Sequence, residues 1–210
     1  LARTFDGMFA RLETSFLSKK QFTADASHEL RTPVAVILAE CDRARRKAET
    51  KEDFLASINV IEQQGNKMNT LIEQLLSLTR IQQGTEKYPL RVCDLSGFVD
   101  ACCDEFVPAD ERGMTLETDI EPGVAAAYNP SLLSRAMFNL MQNAYKYGRE
   151  GGKIRVSLCR ENGCAVISVK DDGPGIPKAE QEKIWQRFYR CDTSRADGGT
   201  GLGLSLVREI

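Results

Sequence analysis

Ala26-Ser27-His28-Glu29-Leu30-Arg31-Thr32-Pro33-Val34-Ala35-Val36-Ile37-Leu38-Ala39-Glu40-Cys41 is the stretch on which the reading of this chain turns. Leu30, Val34, Ile37, Cys41, Ala44 and Ala48 step alternately by four and three residues, the rhythm of a helical seam rather than of a broad amphipathic face. Phe5, Phe9, Leu12 and Phe16 keep the same step upstream. Pro33 falls inside the run, where it removes the hydrogen bond to the Glu29 carbonyl and is expected to bend or loosen the helix. His28 is the only histidine in 210 residues. With Thr23, Ala26 and Leu30 as the seam of its turn, it points away from a bundle core. An exposed imidazole beside the Glu29 carboxylate is either a surface histidine of no consequence or a usable nucleophile near neutral pH. Standing alone, it excludes any metal site of two or more histidines and any multi-histidine proton relay within the chain.

Working outward, the polar break Glu49-Thr50-Lys51-Glu52-Asp53 leads to a second arm, in which Ile58, Ile61, Gly65, Met68, Ile72, Leu75 and Thr79 step by three and four. This spacing predicts a helical hairpin with a seam on each arm. Two helices alone bury too little surface for a stable core, so the pattern favours dimerisation into a four-helix bundle. After Gln82-Gln83-Gly84 the periodicity changes. Residues 90–93, 114–120 and 124–128 read as strands, and 154–159 and 165–169 flank Glu161-Asn162-Gly163, where Asn-Gly signals a hairpin. Residues 95–107 and 130–147 read as helices, the second opened by Asn129 as N-cap and Pro130 in the first turn. The expected architecture is an antiparallel helical hairpin followed by a mixed α and β domain.

The 42% hydrophobic and 28% charged residues are the balance of a globular protein, and the net charge of −2 gives no electrostatic case for nucleic acid. Cys41, Cys93, Cys102, Cys103, Cys159, Cys164 and Cys191 lack disulfide-framework or C-x-x-C spacing, so they are expected to be reduced, small, buried apolar residues in a cytosolic setting. No apolar run approaches the roughly 20 residues that span a bilayer. The chain starts at Leu1 rather than Met and is expected to be part of something longer.

On the 130–147 helix, Leu133, Met137, Leu140, Ala144 and Tyr147 form a core stripe, and Asn139, Asn143 and Lys146 a second stripe about 100° away. Such a stripe is either an ordinary solvated face or a set of carboxamides for a hard cation and an ammonium for phosphate. Asp171-Asp172-Gly173-Pro174-Gly175 ends a strand with acid and glycine, which reads as a turn or as a close backbone approach beside a carboxylate. Gly198-Gly199-Thr200-Gly201-Leu202-Gly203-Leu204 opens a final helix, a backbone suited to phosphate. It is neither a Walker A loop nor a Rossmann fingerprint.

These segments, in this order, resemble the sensor histidine kinases of two-component signalling over about residues 20–210. His28-Glu29-Leu30-Arg31-Thr32-Pro33 is similar to the H box of that family, and Asn139-Leu140-Met141-Gln142-Asn143-Ala144-Tyr145-Lys146-Tyr147 to its N box. Asp171-x-Gly173-x-Gly175 resembles the first glycine box, Trp185-Gln186-Arg187-Phe188-Tyr189-Arg190 the F box, and Gly199-Thr200-Gly201-Leu202-Gly203-Leu204 the second glycine box. The resemblance implies a fold of dimeric four-helix bundle plus an α/β-sandwich ATP-binding domain. It divides the chain into the end of a HAMP-like helix (1–20), a dimerisation and histidine phosphotransfer domain (21–84) and a catalytic and ATP-binding domain (85–210).

It also implies roles. His28 would be the phosphoacceptor, Glu29 its acid/base partner, and Thr32 would help to position water in dephosphorylation of the partner. Asn143 would ligate Mg²⁺, Asn139 would support it, Lys146 would contact phosphate and Tyr147 line the nucleotide pocket. Asp171 would bond the adenine amino group, and Gly173, Gly175, Gly199, Thr200, Gly201, Leu202 and Gly203 would close around ATP, with Arg190 opening a mobile lid that ends at Gly199. The partners implied are a second copy of the chain and the receiver domain of a response regulator, with no nucleic acid. An upstream sensor would place the chain on the cytoplasmic side of a bacterial inner membrane. Phosphoryl transfer is mostly positioning and charge neutralisation, so acceptor and ATP can sit on separate domains.

Two departures stand out. Asp172 replaces the usual Asn of the first glycine box and is expected to add negative charge near the nucleotide. Family members continue beyond the position of Ile210 into at least one further strand, which is expected to leave the sheet of the ATP domain incomplete. A silent nucleotide-binding scaffold is disfavoured by the intact His28, Glu29, Asn143 and Asp171, and a chaperone- or topoisomerase-type ATPase by the H box on a hairpin.

Overall fold

The computed structural model of the chain describes residues 2–83, 88–106, 112–191 and 199–210. They form two compact units, Leu1–Leu76 and Ser77–Ile210.

The first unit is the helical hairpin, α1 (Ala2–Lys47) and α2 (Lys51–Gln83), whose last turns from Ser77 belong to the second unit. The side chains of Phe5, Phe9 and Leu12 lie outside the described residues. The connection is shorter than the polar break suggested, because Thr50 and Asp53 build a reciprocal cap. Asp53 Oδ2 accepts from the Thr50 N–H (3.1 Å) and hydroxyl (2.9 Å), and the Asp53 N–H donates back to Thr50 Oγ1 (3.2 Å). This is a capping box with Asp in place of Glu. At the other end of the turn Arg45, Arg46 and Lys47 complement the negative end of the α1 dipole. Arg43 ties the arms together by donating to the buried hydroxyl of Ser57 (2.8 Å).

α1 is continuous through Pro33. The ring is fully buried, so packing offsets the missing backbone bond. Few side chains of this unit are buried, Pro33, Ser57 and Leu71 among them, whereas Val34, Leu38, Phe54, Leu55, Ile58, Ile72 and Leu76 stay exposed.

The second unit runs β1 (Arg91–Asp94), α3 (Leu95–Glu105), β2 (Thr115–Ile120), β3 (Ala125–Tyr128), α4 (Pro130–Tyr147), β4 (Lys153–Glu161), β5 (Cys164–Asp171) and α5 (Gly203–Glu209), with a 3₁₀ turn at Lys183–Trp185. β1 pairs antiparallel with β3. β2, β4 and β5 form a mixed sheet in which β4 is central, parallel to β2 and antiparallel to β5. The β4–β5 turn is the Asn162-Gly163 pair, both at positive φ (50° and 79°), the geometry that right-twisted strands require. Asn129 caps α4 by accepting from the Leu132 N–H (3.1 Å), with Pro130 next in line.

The core lies between sheet and helices, on Val99, Val124, Met137, Met141, Ile154, Val156 and Leu158. Met141 is fully buried, as Met137 is, whereas Leu140 is only half-buried, so the core stripe of α4 runs 133, 137, 141, 144. The cysteines divide. Cys102 and Cys103 are buried, Cys93, Cys159 and Cys191 half-buried, and Cys41 and Cys164 exposed, so the buried reading holds for α3 alone; all seven are free thiols. Among the described residues no helix is long and apolar enough to cross a membrane.

Candidate active site

His28 stands exposed on α1, with Glu29 half-buried beside it and Thr32 exposed one turn on. The Thr32 hydroxyl donates to the His28 carbonyl (3.3 Å), so the turn that carries the imidazole is tied to the residue preceding Pro33. Ser27 makes the same bond to the Thr23 carbonyl (2.8 Å).

The other candidates are in the second unit, where α4, the end of β5 and the start of α5 meet. Asn139, Asn143, Lys146 and Tyr147 are all half-buried along α4. Lys146 Nζ lies 5.2 Å from the centre of the Tyr147 ring, and a Cβ on Gly199 would come within 2.8 Å of that ammonium. A Cβ on Gly203 would come within 2.8 Å of Asn139 Oδ1, whose own Nδ2 donates to the Arg135 carbonyl (2.8 Å). On the opposite side Asp171 Oδ1 accepts from the Gly173 N–H (2.9 Å), and a Cβ on Gly173 would collide with the Tyr147 carbonyl. The glycines therefore allow two backbone segments to close on the polar side of α4. Among the described residues the Asn143 carboxamide has no protein partner, which leaves its oxygen for a ligand.

The second glycine segment is locked to the F-box residues. Phe188 sits at φ 60° and Gly201 at φ 69°; the Phe188 N–H donates to the Gly201 carbonyl (2.9 Å). Leu202 is fully buried, so only its backbone can serve a ligand. Arg190 is half-buried at the start of the expected lid, whose body, residues 192–198, lies outside the described residues.

Asp172, expected to add negative charge near the nucleotide, is engaged by backbone. Its carboxylate accepts the backbone N–H groups of Arg149 (3.2 Å) and Lys153 (3.1 Å), in the turn that joins α4 to β4. Slight desolvation of the exposed carboxyl opposes ionisation, but the amides of Arg149, Lys153 and Asp172 itself, with the Arg149 charge, outweigh it and hold its pKa below the ordinary value. Arg112 binds the other side of that turn. Its guanidinium donates to the Tyr145, Lys146 (2.7 Å) and Gly148 (2.8 Å) carbonyls at the C-terminus of α4. No spacing rule marks an arginine whose acceptors come from more than thirty residues away.

An exposed histidine on a helical hairpin, followed by an α/β domain whose glycine segments close on a polar helix face, is what this fold and these side chains define. Residues 18–84 match the His Kinase A (phospho-acceptor) domain, and residues 128–210 match the histidine kinase-, DNA gyrase B- and HSP90-like ATPase domain. The chain belongs to the sensor histidine kinases. It is 37% identical over 201 residues to sensor histidine kinase RppB of Synechocystis sp., covering 93% of this chain and 44% of that protein. It is 34% identical over 210 residues to sensor histidine kinase YkoH of Bacillus subtilis, covering 99% and 45%. The chain thus spans about half the length of the curated relatives it matches. Among solved structures, Acinetobacter baumannii histidine kinase AdeS shares the fold with a TM-score of 0.66 at 20% identity, covering 87% of this chain and 84% of that one. Histidine kinase ThkA, solved in complex with response regulator protein TrrA, shares it at 0.65 and 21%, covering 81% and 50%.

Proposed function

We propose that this chain is the catalytic core of a membrane-anchored sensor kinase, its described part on the cytoplasmic side, that transfers the γ-phosphoryl group of ATP to His28 and then to an aspartate of a response-regulator receiver domain. The observation that carries the reading is the exposure of the chain's only imidazole at the head of His28–Pro33, on the helix that matches a phosphoacceptor domain.

In this reading a ring nitrogen of His28 attacks the γ-phosphorus, a phosphorus–nitrogen bond forms, and the bond to the bridging oxygen breaks to release ADP. Glu29 takes and orients the imidazole proton. Asp171, already fixed by the Gly173 N–H, presents its second oxygen to the adenine amino group, which selects against guanine. Tyr147 lines the base pocket, Lys146 neutralises phosphate, and the backbone of Gly199, Thr200, Gly201, Leu202 and Gly203 surrounds the phosphate end, with Gly173 and Gly175 at the base and Arg190 at the lid. Among the described residues no group of three His, Cys, Asp or Glu could hold a metal. The free carboxamide of Asn143, with Asn139 one turn away, fits a Mg²⁺ that shares its remaining ligands with phosphates and water. Such an ion, when bound, neutralises charge on the transferring group. Thr32 acts in the reverse chemistry, orienting water for dephosphorylation of the regulator.

The exposed apolar residues of the hairpin, among them Leu38 (64%) and Ile58 (55%), support burial against a second copy in a four-helix bundle. Residues 1–20, 21–84 and 85–210 are then signalling helix, phosphotransfer domain and ATP-binding domain. The test is labelling with γ-³²P-ATP and γ-³²P-GTP in the presence of Mg²⁺. Wild type is expected to take label from ATP in strong preference to GTP, with Asp171→Asn losing most ATP labelling; a chain labelled equally by both, or by neither, contradicts the reading.

A further inference from the structure

The turn between α4 and β4 is gripped from both sides. Arg112 donates to the carbonyls of Tyr145, Lys146 and Gly148, which have no further helical N–H to meet, and its guanidinium lies 5.5 Å from the Tyr145 ring centre. Asp172 accepts the amides of Arg149 and Lys153 on the far side of the turn. Backbone bonds close the knot. Gly151 N–H donates to the Arg112 carbonyl (2.8 Å), Gly152 N–H to the Arg149 carbonyl (3.0 Å), and Thr115 N–H to the Gly152 carbonyl (3.0 Å). Gly152 is buried against Asp172, and a Cβ there would meet the carboxylate and the Arg149 carbonyl, so the carboxylate fits only a glycine turn. The turn is also the covalent link between the two halves of the site. It leaves α4 directly after Lys146 and Tyr147 and enters β4, whose Ile154 is paired with Asp171.

We propose that Arg112 and Asp172 are paired positioning residues for the nucleotide site: one gathers the carbonyls that end α4, the other the amides that open β4, and together they set the separation of Lys146 and Tyr147 from Asp171 and Gly173. Neither residue touches the nucleotide. The inference rests on the reading of this site as a nucleotide site. It reassigns the extra negative charge of Asp172, which is spent on the turn rather than on phosphate or metal. A carboxamide oxygen accepts one of the two amides, whereas alanine accepts neither.

The test uses the whole 210-residue chain with Arg112→Ala, Arg112→Lys, Asp172→Ala and Asp172→Asn, and reads two quantities: Mg²⁺·ADP affinity by calorimetry, and hydrogen exchange of the Arg149 and Lys153 amides without nucleotide. Both alanine variants are expected to exchange faster at the turn and to bind ADP about tenfold more weakly, the effect of losing roughly one charge-assisted hydrogen bond. Asp172→Asn and Arg112→Lys are expected to recover part of both, and KM for ATP is expected to rise more than kcat falls. Slow exchange in β4 and β5 identifies variants that remain folded; where an alanine variant does not, the Asn and Lys variants decide, and wild-type behaviour in both of these would overturn the proposal. Faster exchange with unchanged affinity overturns it too, as does unchanged exchange. A wild type that binds no ADP contradicts the nucleotide reading instead, and the exchange arm alone then decides whether the pair holds the turn.

Discussion

Phe188 and Gly201 hold each other in the left-handed region of backbone space: the Phe188 N–H donates to the Gly201 carbonyl at 2.9 Å, and the two residues sit at φ 60° and 69°. A phenylalanine at positive φ is strained and persists only where its surroundings fix it. Here the fixing partner is a glycine of the second glycine segment, so the Trp185–Arg190 segment and that glycine segment form one unit.

Gly201→Ala is therefore expected to damage both segments. The left-handed conformation alone costs an alanine roughly 1–2 kcal/mol, and its Cβ would come within 2.7 Å of the Phe188 carbonyl carbon. Urea denaturation should show a loss of at least that size, with ADP affinity falling by about tenfold or more. Wild-type affinity would mean that the lock is dispensable.

The α2 cap makes a prediction for the hairpin. Thr50→Ala removes one side of the Thr50–Asp53 box and is expected to cost about 1 kcal/mol, a typical N-cap loss, read by circular dichroism on unfolding. Hydrogen bonds from the Thr50 hydroxyl, and then from the Thr50 and Glu49 amides, hold the Asp53 carboxyl below its ordinary 3.8. A depressed folded-state pKa means stability that is present above 3.8 and lost as pH falls through the folded value. The gap between wild type and Thr50→Ala should accordingly narrow on acidification. A gap that widens contradicts the assignment.

How much of this was legible beforehand depends on how local the cause is. Asn129 and Pro130 announce α4, Asn162-Gly163 announces the β4–β5 turn, and the spacing of Asn139, Asn143 and Lys146 puts them on one side of a helix, because each signal lies within a few residues. The α2 cap was local too, but Asp53 stands where the usual box has Glu, and the segment read only as a polar break. Between the adjacent apolar residues Leu140 and Met141 periodicity could not choose, since a core-facing stripe is wide enough for either. Arg112, Asp172 and the Phe188 backbone were out of reach. Their partners are Lys146, Arg149 and Gly201, and only the fold brings these together.

The cysteines offer a test of the same kind. Burial first, then the neighbouring Cys102, Asp100 and Asp104, push the Cys103 thiol up to about 11, and burial also raises Cys102. Alkylation by iodoacetamide at about pH 8 needs the thiolate, so Cys41 and Cys164, both exposed, are expected to label in the folded protein and Cys102 and Cys103 only after unfolding. Mass spectrometry resolves the sites, and labelling of Cys103 as fast as Cys164 would contradict the burial of α3.

The most direct measurement is phosphorylation of wild type and His28→Ala by labelled ATP with Mg²⁺, followed by acid and base treatment. No other histidine exists in the chain to take the phosphate. The expected result is an acid-labile, base-stable label on wild type and none on His28→Ala, with ADP affinity equal in the two. Equal labelling of both proteins would remove His28 as the acceptor and contradict the account.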